Sequence, residues 1–214
     1  MTEDDVLRIL RASDSLLTSG HYVYTGGEHS EVYLDKNGLF MHTRDTSAVC
    51  REIASRFLHD CVQVVVGPAL GGIVLAQWTA HHLSELSGCE VLAAYAEKIH
   101  GVMKLRRGHD KVVAHKRTLV VEDTLSTGGS ALEVVSAVRK CSGEVVGLGA
   151  INNGGGVAAE EIGVAKLVSL VSVRAHRYKV GSCPMCDNNI PIVRTPGHGA
   201  DFEKDHPDYP GGYV

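Results

Sequence analysis

The sequence predicts an α/β protein with a central parallel sheet flanked by helices, and three observations carry that expectation. Between residues 61 and 175, short apolar runs alternate with segments of helical spacing. The strand-like runs are almost continuously apolar, as in a parallel sheet covered on both faces. Two glycine-rich turns each follow such a run and precede a helix, so both fall at carboxyl ends of strands.

The elements follow in order. Thr2-Glu-Asp-Asp5 pairs a capping hydroxyl with first-turn acids ahead of Val6, Leu7, Ile9 and Leu10, predicting a helix to about Thr18. Residues 21–42 mix Tyr, Val and Leu with Gly and polar residues, which predicts short antiparallel strands around a Gly26-Gly27 turn. From Asp45 to His59, Ala48, Val49, Ile53, Ala54 and Phe57 recur at helical spacing. Core strands are expected at Val62–Val66, Val91–Tyr95, Thr118–Val121, Val145–Ile151 and Leu167–Val171. Helices are expected from about Ile73 to Leu86 and from Ser130 to about Cys141. After Val180 the chain turns to Gly, Pro, Asp and His without helical periodicity, as in a wrapped extension or a partly disordered tail. The expected division is an N-terminal helix and hood at 1–60, an α/β core at 61–175 and a C-terminal extension at 176–214.

Composition narrows the function classes. The chain has 214 residues, 44% hydrophobic and only 5% aromatic, with a net charge of −4 and a pI near 6.3. That balance argues against nucleic acid or an anionic membrane as the main partner. No apolar run approaches the ~20 residues that span a bilayer, and the acidic start MTEDDVLRIL lacks the basic residues of a secretory signal. A cytoplasmic protein with reduced cysteines is the expectation.

The most informative run is Leu119-Val-Val-Glu-Asp-Thr-Leu-Ser-Thr-Gly-Gly-Ser130. A buried strand runs into two acids, then into a hydroxyl- and glycine-rich turn that opens a helix. The first N–H groups of a helix lack internal partners and carry the positive end of its dipole, so a phosphate fits there. Thr124, Leu125, Ser126, Thr127, Gly128, Gly129 and Ser130 form that cradle, while Glu122 and Asp123 suit the hydroxyls of a ribose. No lysine follows the glycines, which sets the loop apart from GxxxxGK[ST]. Together these residues describe a ribose 5-phosphate site.

This motif resembles the signature of the type I phosphoribosyltransferases, which bind 5-phosphoribosyl 1-diphosphate (PRPP). The resemblance implies their fold, with a small N-terminal hood and, in this chain, an extended C-terminal tail. Val65-Val-Gly-Pro-Ala-Leu-Gly-Gly72 resembles the family's pyrophosphate loop, with Ala69, Leu70, Gly71 and Gly72 as PRPP-binding positions and Ala69-Leu70 as the candidate for a strained or cis peptide. The polar stretch Glu97–His109 is long enough for a lid and concentrates Lys98, His100, Lys104, Arg106 and Arg107. Closing over a departing pyrophosphate, each such donor could supply about 3 kcal/mol of charge stabilisation. Family members often place this loop across a dimer interface, so a homodimer is implied.

Residues 20–45 narrow the resemblance to the orotate phosphoribosyltransferases, which implies a Mg2+-dependent transfer from PRPP to a nucleobase. Tyr24, Thr25, Tyr33 and Asn153 fall at base-binding positions, and Glu122, Asp123 and Lys98 at catalytic ones. Thr25 stands where the family usually has lysine, Gly71 where lysine is frequent, and Asn153 where an arginine usually meets the base carboxylate. Salvage of a purine or another nucleobase, and PRPP sensing without turnover, are the alternatives. Finally, Cys183-Pro-Met-Cys186 is half of a structural Zn2+ site, which His198 and His206 could complete.

Overall fold

The computed structural model describes all residues from Met1 to Val214. In chain order the elements are α1 (Glu3–Ala12), β1 (Leu16–Leu17), β2 (Tyr22–Val23), β3 (His29–Ser30), β4 (Tyr33–Leu34), α2 (Lys36–Met41), α3 (Thr43–Arg56), β5 (Val64–Pro68) and α4 (Gly71–Ser87). They continue with β6 (Leu92–Ile99), β7 (Val102–Leu105), α5 (His109–Val113), β8 (Arg117–Thr124), α6 (Gly129–Lys140), β9 (Glu144–Asn152), α7 (Ala159–Ile162), β10 (Leu167–Val171), α8 (Pro184–Asp187) and α9 (Gly199–Asp205). Two compact units result, one of Met1–Val6 with Phe40–Val173 and the other of Leu7–Leu39 with Arg174–Val214.

The first unit holds a six-stranded sheet in the order β10-β9-β8-β5-β6-β7. Its neighbours pair in parallel except β6 and β7, which form an antiparallel hairpin. Val64, Val66, Val120, Leu148 and Ala150 pack on one face with Ala131, Val134 and Val138 of α6. The opposite face of β9 carries Gly147 and Gly149 for a steric reason. A Cβ on Gly149 would lie 2.7 Å from Ile53 Cγ2 and 3.3 Å from Phe57, and one on Gly147 would lie 2.7 Å from Phe57. The two glycines therefore let α3 seat against the strand. Gly149→Val should destabilise the protein by about 1–3 kcal/mol through overpacking, and a urea midpoint equal to wild type would show that this contact is not tight.

The second unit consists of two antiparallel pairs, β1 with β4 and β2 with β3, together with the C-terminal extension. His29 exchanges backbone hydrogen bonds of 2.8 Å in both directions with Tyr178. Val193 N–H donates to His21 C=O at 2.9 Å, and His198 N–H donates to Val23 C=O at 2.8 Å. The extension is thus wrapped and ordered, with α8 and α9 inside it.

Several expectations are corrected. The first helix ends at Ala12 instead of Thr18, because Asp14 takes a left-handed φ of 53° and Leu16–Leu17 leave to pair with Tyr33–Leu34. Residues 36–41 are helical, started by Asp35, whose carboxylate accepts from Asn37 N–H at 3.0 Å. Strand β6 runs four residues past Tyr95 because β7 continues its hydrogen-bond ladder. The division at residues 60 and 175 also differs. Residues 40–60 fold with the core, since α3 packs on α4 and β9, while 7–39 and 174–214 share one unit.

Candidate active site

Strands β5 and β8 lie side by side and parallel, with Val64 opposite Thr118 and Val66 opposite Val120. The chain leaves β5 toward β6 on one side and returns as β8 on the other, so the order reverses between these two strands. The loops after both strands open at the same sheet edge, the place where ligands bind in such sheets.

On β8, Glu122 and Asp123 are 6% and 8% exposed, which holds two carboxylates at the rim with little freedom to move. Leu125 anchors the loop that follows. Its side chain is buried, its N–H donates to Asn152 C=O at 2.8 Å, and its C=O accepts from Gly155 N–H at 2.9 Å. Ser126 and Thr127 are thereby left exposed. Gly128 turns the chain into α6 with a φ of 74°, and no side chain caps the helix. Residues Glu122 and Thr124 to Ala131 together line a small open concavity. Its one acid, its hydroxyls and the helix start are among the residues that the sequence assigned to a ribose 5-phosphate.

The loop after β5 has an equally specific build. Gly67 and Gly72 press together, so that a Cβ on Gly72 would come within 2.8 Å of the Gly67 carbonyl carbon. The Ala69-Leu70 peptide between them is cis, as the resemblance implied. Ala69 N–H donates to Ala96 C=O at 2.8 Å, while the Leu70 side chain is 83% exposed. Gly71 and Gly72 open α4 beside this turn.

The basic stretch expected to act as a lid is a β-hairpin. Glu97 pairs with Lys104 and Ile99 with Val102, around a turn where His100 and Gly101 take positive φ. Lys98, His100, Lys104, Arg106 and Arg107 are all exposed. Lys98 Nζ lies 3.8 Å from Glu133 of α6, and Arg107 lies 3.4 Å from Glu97.

Of the residues expected at base-binding positions, Tyr24, Thr25 and Tyr33 belong to the second unit and Asn153 to the first. The Tyr24 and Tyr33 rings meet at a tilt of 46° with centroids 5.1 Å apart in the second unit, and the Tyr24 hydroxyl donates to Val32 C=O at 3.0 Å. Burial raises both phenol pKa values, so both remain neutral donors at neutral pH. Thr25 Oγ1 hydrogen-bonds His198 Nε2 at 3.0 Å. Asn153, in the first unit, has its amide engaged in its own loop. Its Nδ2 donates to Val157 C=O and its Oδ1 accepts from Val157 N–H, both at 2.9 Å. These two hydrogen bonds hold the Asn153 loop.

Sequence reasoning missed Arg177. Its guanidinium sits 4.2 Å over the Tyr24 ring and 3.5 Å from Glu28. Nothing in the sequence links position 177 to position 24. The cysteine–histidine grouping expected from sequence also differs. Cys183 and Cys186 gather with His21 and His29, while His198 faces Thr25 and Asp201, and His206 packs on Phe202 outside that cluster.

An acid pair and phosphate cradle after one central strand, and a glycine turn after its neighbour, define a type I phosphoribosyltransferase. No protein-family profile matches the chain. Curated relatives do. The orotate phosphoribosyltransferase of Pelotomaculum thermopropionicum is 38% identical over 197 residues, covering 91% of this chain and 97% of that protein. That of Caldanaerobacter subterraneus is 36% identical, with the same coverage. Among solved structures, Mycobacterium tuberculosis orotate phosphoribosyltransferase in complex with Fe(III) dicitrate superposes with a TM-score of 0.65 at 26% identity, over 79% of this chain and 95% of that one. The chain belongs to the orotate phosphoribosyltransferase family.

Proposed function

We propose that this protein transfers the 5-phosphoribosyl group of PRPP to orotate, forming orotidine 5′-monophosphate and pyrophosphate. The observation that carries the reading is the buried pair Glu122 and Asp123 beside the uncapped start of α6, in a chain of this family. The 5-phosphate sits on the N–H groups and hydroxyls of residues 124–130, and the two carboxylates accept hydrogen bonds from the ribose hydroxyls. As the bond from the anomeric carbon to pyrophosphate breaks, the ribose gains oxocarbenium character, and a nitrogen of the base closes on that carbon. The carboxylates stabilise the developing positive charge without moving a proton. The Gly67–Gly72 turn and Lys98 of the hairpin are set to meet the negative charge on the departing group.

The donor set fits Mg2+. Glu122 and Asp123 offer hard carboxylate oxygens at the rim where ribose hydroxyl and pyrophosphate oxygens would converge. When bound, the ion neutralises charge on the leaving pyrophosphate. A homodimer is supported by the family likeness. No helix is long and apolar enough to cross a membrane, and a cytoplasmic setting is supported by the family likeness.

Pyrophosphate release from PRPP and Mg2+ should be measured with orotate, uracil, xanthine, hypoxanthine and adenine in separate reactions. Release with orotate alone is expected. Release with a purine alone would reassign the acceptor, and PRPP binding without release on any base would make the protein a sensor.

A further inference from the structure

Four side chains that the transfer reaction does not use converge inside the second unit. His21, His29 and Cys183 are fully buried and Cys186 is partly so, and one ligand atom from each lies within 4.8 Å of the others. They come from both stretches of chain that make up this unit. His21 and His29 flank the Gly26-Gly27 hairpin, while Cys183 and Cys186 bracket the first turn of α8. We infer that these four residues form a structural zinc site, Cys2His2 in composition.

The distances suit such a centre. Zinc binds imidazole nitrogen at about 2.0 Å and thiolate sulfur at about 2.3 Å in a tetrahedron, which sets nitrogen–sulfur edges at roughly 3.6 Å and nitrogen–nitrogen edges at roughly 3.3 Å. Cys183 Sγ lies 3.7 Å and Cys186 Sγ 3.8 Å from His21 Nε2, and Cys186 Sγ lies 3.3 Å from His29 Nδ1. The two imidazole nitrogens are 2.7 Å apart, so binding would open that one edge by about 0.6 Å. His21 is already oriented for the task. Its Nδ1 hydrogen-bonds Ile190 C=O at 2.8 Å, which fixes the tautomer and points the Nε2 lone pair at the centre. His29 Nε2, by contrast, is buried without a partner. Two thiolates and two neutral imidazoles cancel the charge of a zinc ion, as a buried site requires. Four protein ligands leave no open position, so the ion holds structure and activates no water.

Such an ion would tie residues 21–29 to 183–186. It would thereby fix the hairpin that presents Tyr24 and Thr25, independently of which base the enzyme accepts.

The protein should be purified from zinc-supplemented culture without chelator and its metal measured by mass spectrometry. About one zinc per chain is expected, with two sulfur and two nitrogen ligands by X-ray absorption. Cobalt exchanged into the wild-type protein should give the intense visible bands of a tetrahedral thiolate site, a readout that needs no variant to fold. Cys186→Ser and His29→Asn should lower zinc content about tenfold or more, whereas His198→Gln and His206→Gln should retain it. Folded wild-type protein with under about a tenth of an equivalent of any transition metal would overturn the assignment. So would a Cys183–Cys186 disulfide, seen as an intact mass lighter by two hydrogens, or an absorption spectrum lacking sulfur ligands.

Discussion

Asp123→Asn should lower turnover by about a hundredfold or more while leaving the melting temperature within a few degrees of wild type. The substitution keeps shape and volume at a position 8% exposed and removes only the negative charge. A ground-state hydroxyl can still hydrogen-bond to an amide, so the KM for PRPP should rise far less than kcat falls. The charge matters most when the ribose becomes cationic, which is why the loss belongs in kcat. Steady-state kinetics with PRPP and orotate, alongside a thermal melt, separate the two effects. Full turnover in the folded variant would remove the acid pair from the mechanism.

The second large effect is expected at Gly128. Its φ of 74° is one that β-branched residues rarely adopt, and an added Cβ would lie 2.6 Å from Ile162 Cδ1 and 3.0 Å from Val157 Cγ1. Gly128→Val should therefore cost about 1–3 kcal/mol of backbone strain, more once packing is counted. By re-aiming the N–H groups of Gly129 and Ser130, it should raise the KM for PRPP about tenfold or more. Gly129→Ala is the matched control. Gly129 has no positive φ, and its Cβ would meet only Thr127 Oγ1 at 3.6 Å. Equal losses in the two variants would mean that added bulk, and not the left-handed turn, disturbs phosphate binding.

The sheet was legible because its strands are nearly all apolar and its two functional loops sit at their ends. Leu167–Val171 is found with the expected bounds, and Glu122 and residues 124–130 share one concavity. A local motif suffices there, since strand, loop and helix start are contiguous in the chain. Long-range partners left no such trace. His21 and His29 are eight residues apart, a spacing unlike any metal motif, and they meet Cys183 only because the C-terminal extension returns beside the hairpin. Asn153 could be placed at its position but not given its hydrogen bonds, which depend on how the chain turns at Val157. The short strands β1 to β4 were blurred for another reason. Two-residue strands carry too little alternation to distinguish them from the turns between them.

The composition of the second unit constrains the order in which the protein can form during synthesis. Every strand of the six-stranded sheet has been made by Val171, so that sheet can close while the rest of the chain is still emerging. Residues 7–39 are made well before the segment that shares their unit, which begins only at Arg174. His21 and Cys183 are separated by 162 positions. The hairpin carrying Tyr24 and Thr25 is therefore made before its companion segment. Loss of residues 174–214 would leave that hairpin without the segment that shares its unit.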